Sequence, residues 1–259
     1  MYHLRFFWLA ICTNFKLSMS LRAAFLITIL ATIVKQVLFL VMWSFFFERY
    51  KVVQGWTFEH MLVMYGLVCF AMGIAGLFFY GIKELSPLIE SSQLDTFLLQ
   101  PKNIILNIAM SKGDISDVGE VITGILLMGY SGYLIKAFPI ILILCVVIVV
   151  FMFSLYLYLS CIAFFVRNSY DLIRELNLNA IIVATQPVAA YRGVFKMFTF
   201  TLLPVAFLSF LPVEYFRTGL WYYLWATILG TAVFFGIACW LFKLGLKRYE
   251  SGNMIVYRH

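Results

Sequence analysis

Between Lys136 and Arg167 the chain runs from Ala137 to Val166 without one charged residue. A stretch so long and so apolar is stable only away from water, as a deeply buried helix or as one that crosses a lipid bilayer. The rest of the sequence decides between these. Ala23 to Phe47 is apolar apart from Lys35 and Gln36, and Met61 to Tyr80 and Trp221 to Phe242 carry no charge. Of 259 residues, 64% are hydrophobic and only 12% charged, with a mean hydropathy of +0.97. A water-soluble protein of this size has too much surface for its volume to hide that much apolar area. A soluble enzyme, a nucleic-acid-binding module and a disordered tail are thereby excluded. The net charge of +7 does not restore nucleic acid as a partner, because Lys and Arg lie scattered between apolar runs. The chain is an integral membrane protein.

A helix needs about 20 mostly apolar residues to cross about 30 Å of hydrocarbon. Six segments are read as spans, at 23–47, 59–80, 118–136, 138–166, 194–213 and 220–243, in one all-α transmembrane domain over residues 1–259. With the N-terminus inside, the outer loops hold only Arg49, Lys51, Lys136 and Arg217, and every other Lys or Arg except Lys35 falls on the inner side. That asymmetry predicts both termini in the cytoplasm. The fifth span is short and holds Pro204. An alternative path starts it near Tyr170 and makes Met197 to Val213 a re-entrant hairpin on the outer side. The charge rule favours the first path, with Tyr170 to Ala190 lying along the interface, because it keeps Arg192 and Lys196 inside.

The N-terminal run from Phe6 to Cys12 is a poor match to a signal peptide. Phe6, Phe7, Ile11 and Phe15 suit an interfacial helix instead. Gly81 to Gly119, on the inner side, is the longest polar stretch. Within it Leu85, Leu88, Ile89, Leu94, Phe97 and Leu98 recur at helical spacing, which predicts an amphipathic helix over 82–100, ended by Pro101.

Catalytic or metal-binding clusters are not legible. His3, His60 and His259 lie far apart, and the five cysteines form no CxxC pair. There is no GxxxxGK[ST] loop, so ATP phosphates have no cradle in this chain. Asp114, Asp117 and Glu120 read as a solvated helix start, where acidic groups meet the positive end of the helix dipole. Lys35, with Gln36 beside it, is the one ionisable group well inside a span. It lines a transport path or a subunit contact, or it snorkels or pairs for structural reasons alone. In the second span Gly66, Ala71, Gly73, Ala75 and Gly76 allow a neighbouring helix to approach closely.

Four motifs in order resemble the ABC-2 family permeases, the membrane halves of bacterial ABC exporters. Ile89-Glu90-Ser91-Ser92-Gln93-Leu94-Asp95-Thr96-Phe97-Leu98-Leu99-Gln100-Pro101-Lys102-Asn103 is similar to the family's I-x-S-G-x-L-D-x-x-L-L-x-P-x-N, with Ser92 where Gly is usual. Gln186-Pro187 stands where Tyr-Pro is usual, Leu203-Pro204-Val205-Ala206-Phe207 with Pro212 resembles P-x-A-F…P, and Lys247 to Asn253 resembles R-Y-x-S-x-G. The resemblance implies a six-helix ABC-2 (type V exporter-like) permease fold with an N-terminal interfacial helix and a cytoplasmic coupling helix. It also implies a homo- or heterodimer that moves an amphipathic or hydrophobic substrate (a drug, lipid or glycolipid) outward across a bacterial inner membrane. A separate ATP-binding cassette ATPase would hold the ATP and Mg, so the chain itself would be no enzyme and carry no cofactor. Its contacts would come from the coupling helix through Glu90, Ser91, Leu94, Asp95, Phe97 and Leu98. Lys35 and Gln36 remain the candidates for the path or the subunit interface. Membrane lipid is the other expected partner. A membrane-embedded lipid-modifying enzyme and an ion-driven transporter are the alternatives.

Overall fold

A computed structural model describes residues 22–53, 55–101, 103–186 and 204–249. Among them all regular structure is helical, apart from one isolated bridge between Val53 and Trp56. Helix is what an apolar environment dictates, because each backbone N–H must find its carbonyl within the same segment. The elements are α1 (Arg22–Tyr50), α2 (Phe58–Phe79), α3 (Leu85–Glu90), α4 (Asp95–Leu98), α5 (Ile104–Ala109), α6 (Val118–Tyr130), α7 (Tyr133–Lys136), α8 (Phe138–Ser160), α9 (Tyr170–Ala184), α10 (Phe210–Thr218) and α11 (Trp221–Arg248). Stretches Leu26–Tyr50, Phe58–Glu90, Phe138–Phe164 and Trp221–Arg248 are long and apolar enough to cross a membrane.

The centre of the bundle is α2, buried on nearly every side. It starts at Thr57, whose backbone N–H donates to His60 Nδ1 at 3.1 Å. Against it lies α6 at backbone distance. A Cβ on Gly124 would sit 2.6 Å from the Phe70 nitrogen and 2.7 Å from the Gly66 oxygen, and one on Gly73 would sit 2.7 Å from the Val121 nitrogen. The small residues of the second span therefore serve contact within the chain. On the other side of α2, α8 pairs with α11 through stacked Phe151 and Phe234, ring centres 5.0 Å apart.

The span read at 118–136 is not one helix. It breaks after Tyr130, and Gly132 takes a left-handed conformation (φ +75°) that a side chain would strain, before α7 leads into α8. Half of the stretch read as a fifth span, 194–213, and the proposed N-terminal helix lie outside the described residues. What is described of the former is a 3-10 turn, Val205–Phe207, and the short α10. Helix α10 packs beside the turn between α1 and α2. Phe210 stacks on buried Trp56, Trp56 Nε1 donates to Glu214 at 3.2 Å, and Arg217 Nη2 lies 2.6 Å from Glu214.

The stretch read as lying along the interface holds helix α9. Its first residue follows Ser169, which is tied to the inner loop, and in its last turns Ile181, Ile182 and Thr185 line a cleft shared with Lys35 of α1. Ile173, Asn177, Ala180 and Ala184 form its buried stripe, while Leu172, Leu178 and Ile182 are exposed. The charges of its first turns obscure that stripe in the sequence.

Candidate functional site

Lys35 and Gln36 are neighbours on α1, so they point about 100° apart around the helix. Only one can face the seam between α2 and α6. Gln36 does, at 2% exposure, and Lys35 stands at its rim with a side chain 63% exposed. Both reach Glu120 of α6. Lys35 Nζ lies 3.0 Å from Glu120 Oε1, and Gln36 Nε2 donates to Oε2. Tyr65 of α2 donates its hydroxyl to Gln36 Oε1. An unpaired ion at this depth costs several kcal/mol, and the pair with its neutral hydrogen bonds offsets much of that.

Reading Glu120 as part of a solvated helix start therefore needs correction. It is 4% exposed, because α6 is short and its first turn already stands level with Cys69 and Gly73, midway along α2. The three acids also do not converge. Asp114 accepts from the Ser116 backbone at 3.0 Å, and Asp117 lies against Gly76. The missed signal was an opposite charge within the span next to that of Lys35.

Beside the network a chamber of about 710 Å³, widely open on one side, lies between α1, α2 and α9. Its walls are mostly apolar, from Val34, Phe39 and Met72 among others, and Lys35 is its one charged lining residue among those described. An ammonium has three N–H donors, and the Glu120 contact leaves others for a polar or anionic occupant.

Burial pushes the Asp117 carboxyl up to about 7, with Lys83 opposing the shift. The folded protein then holds a proton that the unfolded chain releases near pH 4, so stability falls as pH rises from about 4 to about 7. Asp117→Asn is expected to flatten that slope in unfolding midpoints taken from pH 4 to 8. An unchanged slope would place its origin elsewhere.

The inner loop is three short pieces rather than one helix over 82–100. Ser92 turns the chain with a positive φ of 58°, a conformation glycine adopts without strain. After that turn Leu94 is fully buried and Phe97 packs on the core, so neither forms an outward apolar row. Glu90 faces inward too, accepting from Ser86 Oγ at 3.0 Å and from the Ser169 backbone at 3.1 Å. Asp95 lies beside Tyr249, which joins the loop motif to the C-terminal one. Ser91 is exposed and donates to the Pro87 carbonyl. The outward apolar residues are Leu98, 38% exposed, and Leu99, 87% exposed.

The helices, the Lys35 cluster and this loop fall within one family match, to the ABC-2 family transporter protein over residues 33–252. The chain belongs to the ABC-2 transporter family. It is thus the membrane permease of an ABC transporter, a multi-pass membrane protein. No curated protein and no solved structure matches it. In this ABC-2 permease the motif residues are spread over two roles, with Glu90, Leu94, Asp95 and Phe97 holding the loop to the bundle and Leu98 and Leu99 facing out.

Proposed function

We propose that this ABC-2 permease is the transport subunit of an ATP-driven exporter in a bacterial cytoplasmic membrane. It works as a pair of permeases with ATP-binding cassette subunits seated on the inner loop, both termini lying on that side. The observation that carries the reading is the apolar chamber in which Lys35, held in place by buried Glu120, is the one charged group among the described residues. Such a space suits an amphipathic molecule, whose apolar body meets the walls while its polar part meets the ammonium. Glu120 is engaged on both oxygens, so it is held as the counter-charge of Lys35 rather than free to load an ion.

Coupling to the ATPase runs through Leu98 and Leu99. An exposed apolar pair on a polar inner loop is what a partner groove would cover. Leu98→Glu with Leu99→Glu is expected to cut co-purification of the ATPase, and the coupled ATP hydrolysis, at least about tenfold, since the pair sits at the centre of the contact. Insertion and the unfolding midpoint should be unchanged. A single cysteine at Leu99, with the native cysteines replaced, should react with an impermeant maleimide only in inverted vesicles and be shielded by bound ATPase. Labelling on intact cells would overturn the orientation, and full coupling in the double variant would overturn the docking role.

A further inference from the structure

Below the Lys35 chamber, towards the inner loop, lies a second cavity of about 200 Å³ between the 3-10 turn Tyr80–Glu84, α8 and α9. Arg174 stands exposed at its mouth. Lys83 forms one wall, with its ammonium 4.4 Å from the centre of the Tyr156 ring and 5.1 Å from that of Tyr80. Two buried polar groups line the interior with capacity to spare: Asn177 Oδ1, on a residue 8% exposed, has no hydrogen-bond partner, and the Tyr156 hydroxyl, on a residue 1% exposed, meets only Lys83, which uses its oxygen and leaves its proton free. The Asn177 amide nitrogen is already used, donating to the Ile173 carbonyl at 2.8 Å. A buried polar group left without a partner costs about 1–3 kcal/mol, so such atoms mark a place built for something else to bind. The neighbouring acids leave the cavity positive. Glu84 is bound to Lys112 at 3.0 Å, Glu175 lies 3.7 Å from Arg174, and Asp117, held near neutrality by burial, offsets Lys83 only in part.

We propose that this cavity binds the head group of an anionic amphiphile, a phosphodiester bearing a hydroxyl, with its chain lying along α9 towards the Lys35 chamber. Lys83 and Arg174 meet the phosphate charge, and the Tyr156 hydroxyl donates to a phosphate oxygen. Asn177 Oδ1 can only accept, so it takes the ligand hydroxyl. Leu178 and Ile181 supply the apolar wall, and Ile181 lines both cavities. This inference rests on the transport reading, in which the lower cavity is where the substrate loads from the inner leaflet.

The test measures retention of dioleoylphosphatidylglycerol by the purified permease, counted by lipid analysis after washing, with dioleoylphosphatidylcholine as the comparator. Lys83→Gln and Arg174→Gln together are expected to reduce phosphatidylglycerol retention about tenfold or more, the effect of removing the buried Lys83 charge together with the one at the mouth. Tyr156→Phe and Asn177→Leu should each reduce it a few-fold, and Lys83→Arg should keep it, which controls for folding. Unchanged retention in the double variant, or equal retention of phosphatidylcholine by the native protein, overturns the proposal. Displacement of the lipid by inorganic phosphate at equal concentration also overturns it, since a free anion would then suffice. Lys35→Met should lose transport while keeping the lipid. If Lys83→Gln loses the lipid while transport is unaffected, the loading role falls and the transport reading stands.

Discussion

Gly124→Ala is expected to lower the stability of the permease by about 3 kcal/mol, a fall of roughly 6–12 °C in its unfolding midpoint, and Gly124→Val is expected to prevent a monodisperse protein altogether. The atoms that a new methyl group would strike are the Phe70 nitrogen and the Gly66 oxygen, both backbone, and neither can rotate out of the way. The contact is also reciprocal, because a Cβ on Gly66 would lie 3.0 Å from the Gly124 oxygen. Relief would require the α2–α6 seam to open along its length, and with it the pocket that holds Glu120. Gly236→Ala is the control. Nothing lies within 4 Å of a Cβ there, and alanine favours helix, so its midpoint should hold or rise. Equal midpoints for Gly124→Ala and the native protein would mean that the two helices do not meet at backbone distance.

The second large effect concerns the charge pair. Lys35→Met strands a buried carboxylate, and Glu120→Gln leaves an ammonium without its counter-charge. Each is expected to cost about 2 kcal/mol once the exposure of Lys35 is allowed for, or roughly 4–8 °C. The double variant should recover most of that loss, because no ion is then left unpaired. Transport separates structure from function. ATP hydrolysis by the complex reconstituted with its ATPase in lipid vesicles should stay low in the double variant, since the cation facing the chamber is gone. Recovery of both midpoint and hydrolysis would reduce the pair to a structural fastening.

The long helices were legible because a bilayer demands length and apolarity together, and Ala137 to Val166 or Trp221 to Phe242 state both within one window. Glu120 was not legible. Its local setting, Gly113-Asp114-Ile115-Ser116-Asp117-Val118-Gly119-Glu120, looks like any solvated helix start, and only a partner 85 residues earlier changes its meaning. Helical spacing put Leu94, Phe97 and Leu98 on one face, and that holds only for an unbroken helix. The turn at Ser92 divides the face, sending Leu94 into the core and Leu99 out. For α9 the charges of its first turns obscure the buried stripe of Ile173, Asn177, Ala180 and Ala184. Glu214 beneath Trp56 was missed for the same reason as Glu120, because its partner lies 158 residues away.

The separation of 85 positions between Lys35 and Glu120 is also a separation in time. Chains grow at roughly 5–20 residues per second, so α1 resides in the membrane for roughly 4–17 s before its counter-charge has been made. During that interval a lone lysine weighs about 2.5–3.5 kcal/mol against insertion, and the many leucines, isoleucines and phenylalanines around it must hold the segment in place. Arrival of α6 relieves that penalty only if α6 inserts in the right register. A chain that stalls or misthreads before Glu120 thus keeps a weakly anchored first helix.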